Sequence, residues 1–157
     1  MNRILPVCFL LLLITACGGE APEPASVAAP AASSEPAALP RTASVAGASV
    51  FFISPLDGDT VSNPVSVVFG IDGMEVVPAG DNTPHSGHHH LLIDTGLPDP
   101  GLPIPKDAQH VHFGDGSTET EITLEPGRHT LQMLLGVHLH IPHDTPLVSG
   151  RITILVE

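Results

Sequence analysis

The sequence predicts an all-β domain over residues 50–157, an antiparallel β-sandwich of about seven short strands. Three stretches carry this prediction, because apolar and polar or small residues alternate in them with a period of two, as in half-buried strands: 65–71, 131–137 and 152–156. Gly, Pro and Asp residues separate the strands, and no stretch has the apolar spacing of an amphipathic helix.

Four further strands are predicted at 50–54, 88–94, 110–113 and 118–124. Seven short strands separated by such turns are typical of an immunoglobulin-like sandwich. With the strands lettered A to G, residues 88–94 form strand C and residues 131–137 form strand F. These two strands are antiparallel neighbours in that architecture.

The N-terminus reads as an export signal. Arg3 is followed by an apolar run from Ile4 to Ile14 that is too short to cross a bilayer, which predicts a signal peptide over residues 1–16. Leu13 to Cys17 resembles the bacterial lipobox, which implies a lipid on Cys17 and attachment to the membrane. An ordinary secretory peptide that happens to end in Cys is the alternative.

Gly18 rather than Asp follows the cysteine, and in such lipoproteins this implies the outer membrane, with the domain facing the periplasm. Residues 17–49 are rich in Ala and Pro and lack apolar periodicity, so we expect the lipidated Cys and a disordered linker there. Cys17 is the one cysteine left after cleavage, which excludes an intramolecular disulfide.

Composition and the absence of known motifs argue against several functions. The formal net charge is −12, which disfavours nucleic acid as a partner, and the chain has neither Trp nor Tyr to build a sugar-binding platform. The sequence contains no nucleophile elbow, phosphate loop or dinucleotide fingerprint. Enzymatic activity is therefore left open, with a non-enzymatic role favoured.

Histidine is over-represented, with ten residues in the chain, and six of them form three His-x-His pairs. On a strand, residues i and i+2 point to the same face about 6.6 Å apart, so both imidazoles of a pair can reach one ion. Neutral imidazole suits Cu(II), Zn(II) and Ni(II), and the lack of thiolates and of a Met cluster argues against a Cu(I)-only site.

The predicted topology brings some of these pairs together. The start of strand C and the end of strand F lie side by side, and the loop after strand F follows at the same rim. Whether the pair between strands C and E joins that rim is left open by its long, Pro-rich connection. The candidate metal ligands are His88, His90, His138 and His140, with His110, His112 and His143 as further ligands.

The first hypothesis is a lipid-anchored envelope protein that binds divalent Cu or Zn for buffering or delivery. The alternative is an interaction module whose His-rich rim binds an envelope protein without metal, and a pH-sensing role of clustered imidazoles also fits. Asp94, Asp115 and Asp144 are candidate hydrogen-bond acceptors for the ligating rings.

Two histidines are assigned structural roles. His89 shares a face with Leu91 and Ile93, which predicts a packed or hydrogen-bonded core residue. Residues 124–131 resemble the E–F corner of immunoglobulin-like domains, where a Tyr bonds back to the backbone. His129 stands at that position, which implies a structural role for its ring.

Residues 86–94 (Ser-Gly-His-His-His-Leu-Leu-Ile-Asp), together with His110-Val111-His112-Phe113-Gly114, resemble a family of small exported bacterial proteins. This family is catalogued as domain of unknown function four-three-nine-nine. The resemblance covers roughly residues 51–156 and implies a shared domain without implying an activity.

Overall fold

The computed structural model describes residues 39–157, and nine β-strands make up the regular structure of that range. The all-β prediction is confirmed, and all seven predicted strands are present within a few residues of their expected bounds. The two strands that the alternation missed, β2 and β4, have only two residues each. The strands are β1 (Ser49–Ser54), β2 (Thr60–Val61), β3 (Val65–Asp72), β4 (Glu75–Val76), β5 (Ser86–Ile93), β6 (His110–His112), β7 (Glu119–Ile122), β8 (Gly127–Gly136) and β9 (Ile152–Val156).

The strands form two sheets. The smaller is antiparallel with the order β1-β3-β7, and the larger has the order β2-β9-β8-β5-β4, with β6 also paired to β5. Strands β5 and β8 correspond to the predicted strands C and F, and they are antiparallel neighbours as expected. His88 lies opposite Gly136, so the start of β5 does lie beside the end of β8.

The two sheets pack face to face around one apolar core. Val67 and Phe69 of β3 meet Leu91 of β5 and Met133 of β8, and all four side chains are buried. These residues occupy alternate positions of their strands, so the remaining positions of β5 and β8 point to the opposite face of the larger sheet.

That opposite face is also covered. Leu92 and Leu134 form a second apolar cluster with Ile104, which comes from the long connection between β5 and β6. As a result every residue of β5 from Ser86 to Ile93 is buried. A strand buried on both faces can hold polar side chains away from water on either side of the sheet.

The segment before β1 packs against the domain. Ser44 N–H donates to the Asp144 carbonyl at 2.9 Å, and Asp144 N–H donates to the Thr42 carbonyl at 2.9 Å. Val45 and Ala48 contact the core. Residues that the composition placed in the linker therefore contact the folded unit, because backbone pairing with a distant segment leaves no trace in local composition.

The predicted signal peptide, Cys17 and most of the predicted linker lie outside the described residues. Within residues 39–157, no helix is long and apolar enough to span a membrane.

Candidate metal centre

Strand β5 supplies two imidazoles on one face. His88 and His90 alternate with core-facing His89 and Leu91, so they lie on the outer side of the larger sheet with Leu92. Both are buried, because the segments that cover this face exclude water from it.

Strand β6 brings a third ring to the same place. It pairs with β5 so that His112 lies directly opposite His90. Directly opposite residues on an antiparallel pair put their side chains on the same face and in contact. The question of where His112 lies, which the sequence left open, is answered by this register.

A tight turn supplies the fourth ring. Strand β8 ends at Gly136, and His140 N–H then donates to the Val137 carbonyl at 2.8 Å, which reverses the chain. His140 has a φ of 60°, a left-handed conformation that histidine adopts more readily than most residues. The His140 carbonyl accepts from Ile104 N–H at 2.6 Å and so joins the turn to the β5–β6 connection.

These four residues form the histidine cluster: His88, His90, His112 and His140. The ring centroids of His88 lie 4.8 Å from His90, 5.0 Å from His112 and 4.8 Å from His140. Those of His112 lie 5.0 Å from His90 and 4.7 Å from His140, and His90 and His140 are 6.3 Å apart.

Three members of the cluster are close enough to be candidate ligands of one ion. One ring nitrogen from each of His88, His90 and His112 lies within 4.8 Å of the other two. Nitrogens bound to one metal at about 2.0–2.1 Å lie at most about 4.2 Å apart, so binding draws the rings slightly closer together. No Asp or Glu of the described residues belongs to this group.

Two glycines make room for the rings. A Cβ at Gly136 would lie 2.7 Å from Cε1 of His90, and one at Gly114 would lie 2.5 Å from Cε1 of His112. Cβ atoms in proteins essentially never make contacts that short, so a side chain at either position would displace the ring. The rings therefore lie directly on the glycine backbone.

The environment keeps the rings uncharged. Burial, followed by the charges of His140 and His112, lowers the pKa of His88 to about 3. Burial and the charge of His88 likewise lower the pKa of His90 to about 2. Burial also lowers the pKa of His112. Neutral imidazole is the form that binds metal, so His88, His90 and His112 are in their ligating state at neutral pH.

Several ring nitrogens of the cluster have no hydrogen-bond partner. Both nitrogens of His88, Nδ1 of His90 and Nε2 of His112 are buried without one. Leaving a buried polar atom unpaired costs about 1–3 kcal/mol, and such atoms call for an ion, a water or a functional role. A metal ion would satisfy one nitrogen on each of the three rings.

The remaining candidate ligands lie outside the cluster. The expected strand does not extend through residue 137, so His138 lies in the turn and His140 alone of that pair reaches the cluster. His110 Nδ1 lies 2.8 Å from an Asp107 carboxylate oxygen instead. His143 is buried behind the segment before β1, where its carbonyl accepts from Arg41, and neither ring nitrogen has a partner.

The structural histidines are held by other contacts. His89 packs edge-on against Phe69 in the core, with ring centroids 4.7 Å apart. His129 Nε2 lies 2.8 Å from the Glu125 carbonyl and its Nδ1 lies 2.6 Å from an Asp94 oxygen. Its ring thus closes the turn before β8 and joins it to the end of β5.

Sequence reasoning missed the two glycines and the carboxylate partners. Asp94 and Asp144, expected beside ligating rings, contact His129 and Arg41 instead. Asp115 accepts hydrogen bonds from Ser117, and its charge acts on His112. The glycines carry a weak local signal, because Gly114 follows His112 by two residues and would share its face. Gly136 gives no such signal, since its contact with His90 depends on strand pairing.

Comparison with known proteins identifies the family of this chain but assigns no activity to it. A search of curated proteins and a search of solved structures each gave no match. The family model described as Domain of unknown function (DUF4399) matches residues 67–157, which include β5, β6, β8 and every member of the histidine cluster. The chain therefore belongs to the DUF4399 family, as the resemblance of its sequence indicated.

Proposed function

We propose that this domain binds a divalent transition-metal ion, Cu(II) or Zn(II), in the cell envelope, for buffering or delivery. His88, His90 and His112 are the proposed ligands, and His140 is the ring placed to complete the coordination. One observation carries the proposal: two neighbouring strands bring the imidazoles of His88, His90 and His112 together, and a ring nitrogen of each is buried without a hydrogen-bond partner. Buried polar atoms in stable proteins seldom lack a partner, and a bound ion would supply one.

Burial supports metal over a protein partner. The rings of His88 and His90 have no exposed surface that another protein could contact. A small ion reaches such a site from the side of His112 and His140, which are only half-buried. An interaction module that recognises a His-rich rim requires rings that face solvent.

Metal titration tests the proposal. The chain without its signal peptide and without an affinity tag, carrying Cys17→Ala, is titrated calorimetrically with Zn(II) and Cu(II). We expect saturation at one ion per chain, and His112→Asn to weaken binding at least 100-fold. His138→Asn is the matched control, because His138 is also half-buried but lies outside the cluster.

Two results would overturn this function. One is the absence of saturable binding at neutral pH by folded protein. The other is an equal loss of affinity in His138→Asn and His112→Asn, since the ligands would then lie elsewhere.

The envelope location is proposed from the sequence alone. A lipid on Cys17 would fix the domain to a membrane, and the following Gly18 favours the outer one. Radioactive palmitate should label the wild-type chain in a bacterial host and should not label Cys17→Ala. Equal labelling of both chains would exclude this attachment site.

A further inference from the structure

We infer that the histidine cluster holds copper preferentially as Cu(I), so that bound copper has a higher reduction potential than copper in water. This inference rests on the proposed metal site and, where the ion is copper, replaces the divalent state proposed above with Cu(I). Three features of the cluster carry it: the charge of its donors, its burial and the arrangement of its rings.

The donors carry no charge to offset that of the ion. Imidazole is a neutral ligand, and no described Asp or Glu belongs to the group of His88, His90 and His112. The free-energy cost of transferring an ion from water to a medium of low dielectric rises with the square of its charge. The ligands themselves therefore penalise Cu(II) more than Cu(I), and the charge of Asp115, which acts on His112, is opposed there by that of Lys106.

Burial makes that penalty effective. His88 and His90 are buried, and apolar side chains surround the cluster, with Ile104 Cδ1 3.2 Å from where a Cβ of Gly136 would lie. Leu92 and Leu134 complete the apolar cover of this face. An apolar shell that excludes water is one of the main determinants of the reduction potential of a bound metal.

The arrangement of the rings does not suit Cu(II). Five of the six centroid distances in the cluster lie between 4.7 and 5.0 Å, and the sixth is 6.3 Å. Four coplanar centroids with five such distances would form a rhombus, and its long diagonal would be much more than 6.3 Å. The centroids are thus not coplanar, whereas Cu(II) prefers a square or tetragonal set of N and O ligands.

Within residues 39–157, sulfur ligands have no part in this preference. Met74 and Met133 lie in the core between the two sheets, on the other side of the larger sheet from the cluster. Charge and geometry replace the soft donors that usually select Cu(I). Zn(II) accepts a tetrahedral set of imidazoles, so the same site can also bind it.

Competition titrations test the inference. Cu(I) affinity is measured under ascorbate against the chromophoric chelator bicinchoninate, and Cu(II) affinity is measured against glycine. We expect wild-type chain to bind Cu(I) at least 100-fold more tightly than Cu(II). By linkage this raises the potential of the one-electron couple by about 118 mV over aqueous copper, at 59 mV per tenfold ratio.

A pair of variants tests the role of charge. His140 has a φ of 60°, which Asp and Asn both tolerate, so His140→Asp and His140→Asn differ essentially in one charge. We expect His140→Asp to reduce the preference for Cu(I) at least tenfold relative to His140→Asn. The Asn variant removes the same ring without adding a charge, so it is the neutral reference for this comparison.

The outcomes separate this inference from the function beneath it. If the wild-type chain binds neither Zn(II) nor copper, the metal site itself is wrong. If it binds Zn(II) but holds Cu(II) as tightly as Cu(I), the metal site stands and the preference is overturned. Equal ratios in the Asp and Asn variants would exclude charge as its cause.

Discussion

At the scale of single residues, the cluster depends on two glycines, which have no side chain to fill the space beside the rings. Gly114 and Gly136 leave the space that the rings of His112 and His90 occupy. Neither glycine has a positive φ, so the backbone at both positions would accept alanine. The space itself is what these positions provide.

Gly136→Ala should therefore damage the site. Its Cβ would lie 2.7 Å from Cε1 of His90, so the ring or the strand must move. Overpacking of this kind costs about 1–3 kcal/mol of unfolding free energy. We expect that loss in urea titrations and an at least tenfold weaker metal affinity by calorimetry.

Gly150→Ala is the control, because a Cβ there meets nothing within 4 Å. It should leave both quantities close to those of wild type. An unchanged unfolding free energy and an unchanged affinity in Gly136→Ala would show that the ring does not need this space.

His129 provides a prediction with a defined pH dependence. Its hydrogen bond to Asp94 raises the pKa of His129 above the value of 6.5 that it has in the unfolded chain. The stabilisation by this pair is therefore complete below pH 6.5 and is lost as the pH rises through the folded-state pKa.

Asp94→Asn removes the charge and keeps a residue that tolerates the φ of 54° at this position. We expect it to lower the unfolding free energy by only about 1 kcal/mol at pH 6, because the pair is partly exposed. The loss should be smaller at pH 9, because His129 is then neutral and its charge no longer contributes. Urea titrations of both chains at the two pH values measure this difference. A loss that is the same at pH 6 and pH 9 would show that the ion pair does not stabilise the fold.

At the scale of elements, β5 positions two rings of the site, and the segment before β1 binds the residues that follow the turn carrying His140. Strand β5 contributes Leu91 to the core and His88 and His90 to the cluster, because alternation separates the two faces. The segment at residues 41–48 lies against residues 142–144, which follow the turn that carries His140. Arg41 binds there through the Pro142 carbonyl at 3.2 Å and through Asp144 at 3.4 Å.

A chain that begins at Ser49 should be less stable than one that begins at Leu39. It loses the contacts of Arg41, the backbone bonds of Ser44 and Thr42 with Asp144, and the packing of Val45. We expect a loss of about 2–4 kcal/mol in urea titrations.

Arg41→Ala in the longer chain separates the side-chain contacts of this segment from its backbone bonds and should cost only part of that loss. Equal stability of the two chain lengths would mean that residues 39–48 do not contribute to the fold.

At the scale of the whole molecule, buried histidines make stability depend on pH. The pKa values of His88, His89 and His90 are lowered, chiefly by burial, to about 3, 4 and 2, against 6.5 in the unfolded chain. The unfolded state therefore binds more protons below pH 6.5, and stability is lost as the pH falls from 6.5 toward 3.

Each of these three histidines removes up to about 1.4 kcal/mol of unfolding free energy per pH unit in that window. A domain of typical stability, about 5–15 kcal/mol, should then unfold between pH 6 and 3 without metal. Circular dichroism during an acid titration measures the midpoint, and saturating Zn(II) should shift it to lower pH because the ion binds the folded state.

His89→Leu removes one titrating ring from the core and should make the dependence on pH less steep. Stability that does not change between pH 7 and pH 4 would contradict this account.

How far the sequence predicted the site depends on the range of the interactions. The alternation of His88 and His90 with core residues is local, so it placed both rings on one face of a strand. The bond of His110 to Asp107 and the exclusion of His138 depend on turns whose geometry the residue pattern does not encode. The neighbourhood of His112 depends on a strand register set across more than twenty residues.

The sequence by itself determined the strands and the faces of their side chains, because a period of two is a property of the chain alone. Only the tertiary structure decided which imidazoles meet, since strand register and the reversal after Gly136 bring together residues from three separate segments. Only it showed that His88 and His90 are buried and uncharged, because the apolar cover on this face includes Ile104 of the distant β5–β6 connection.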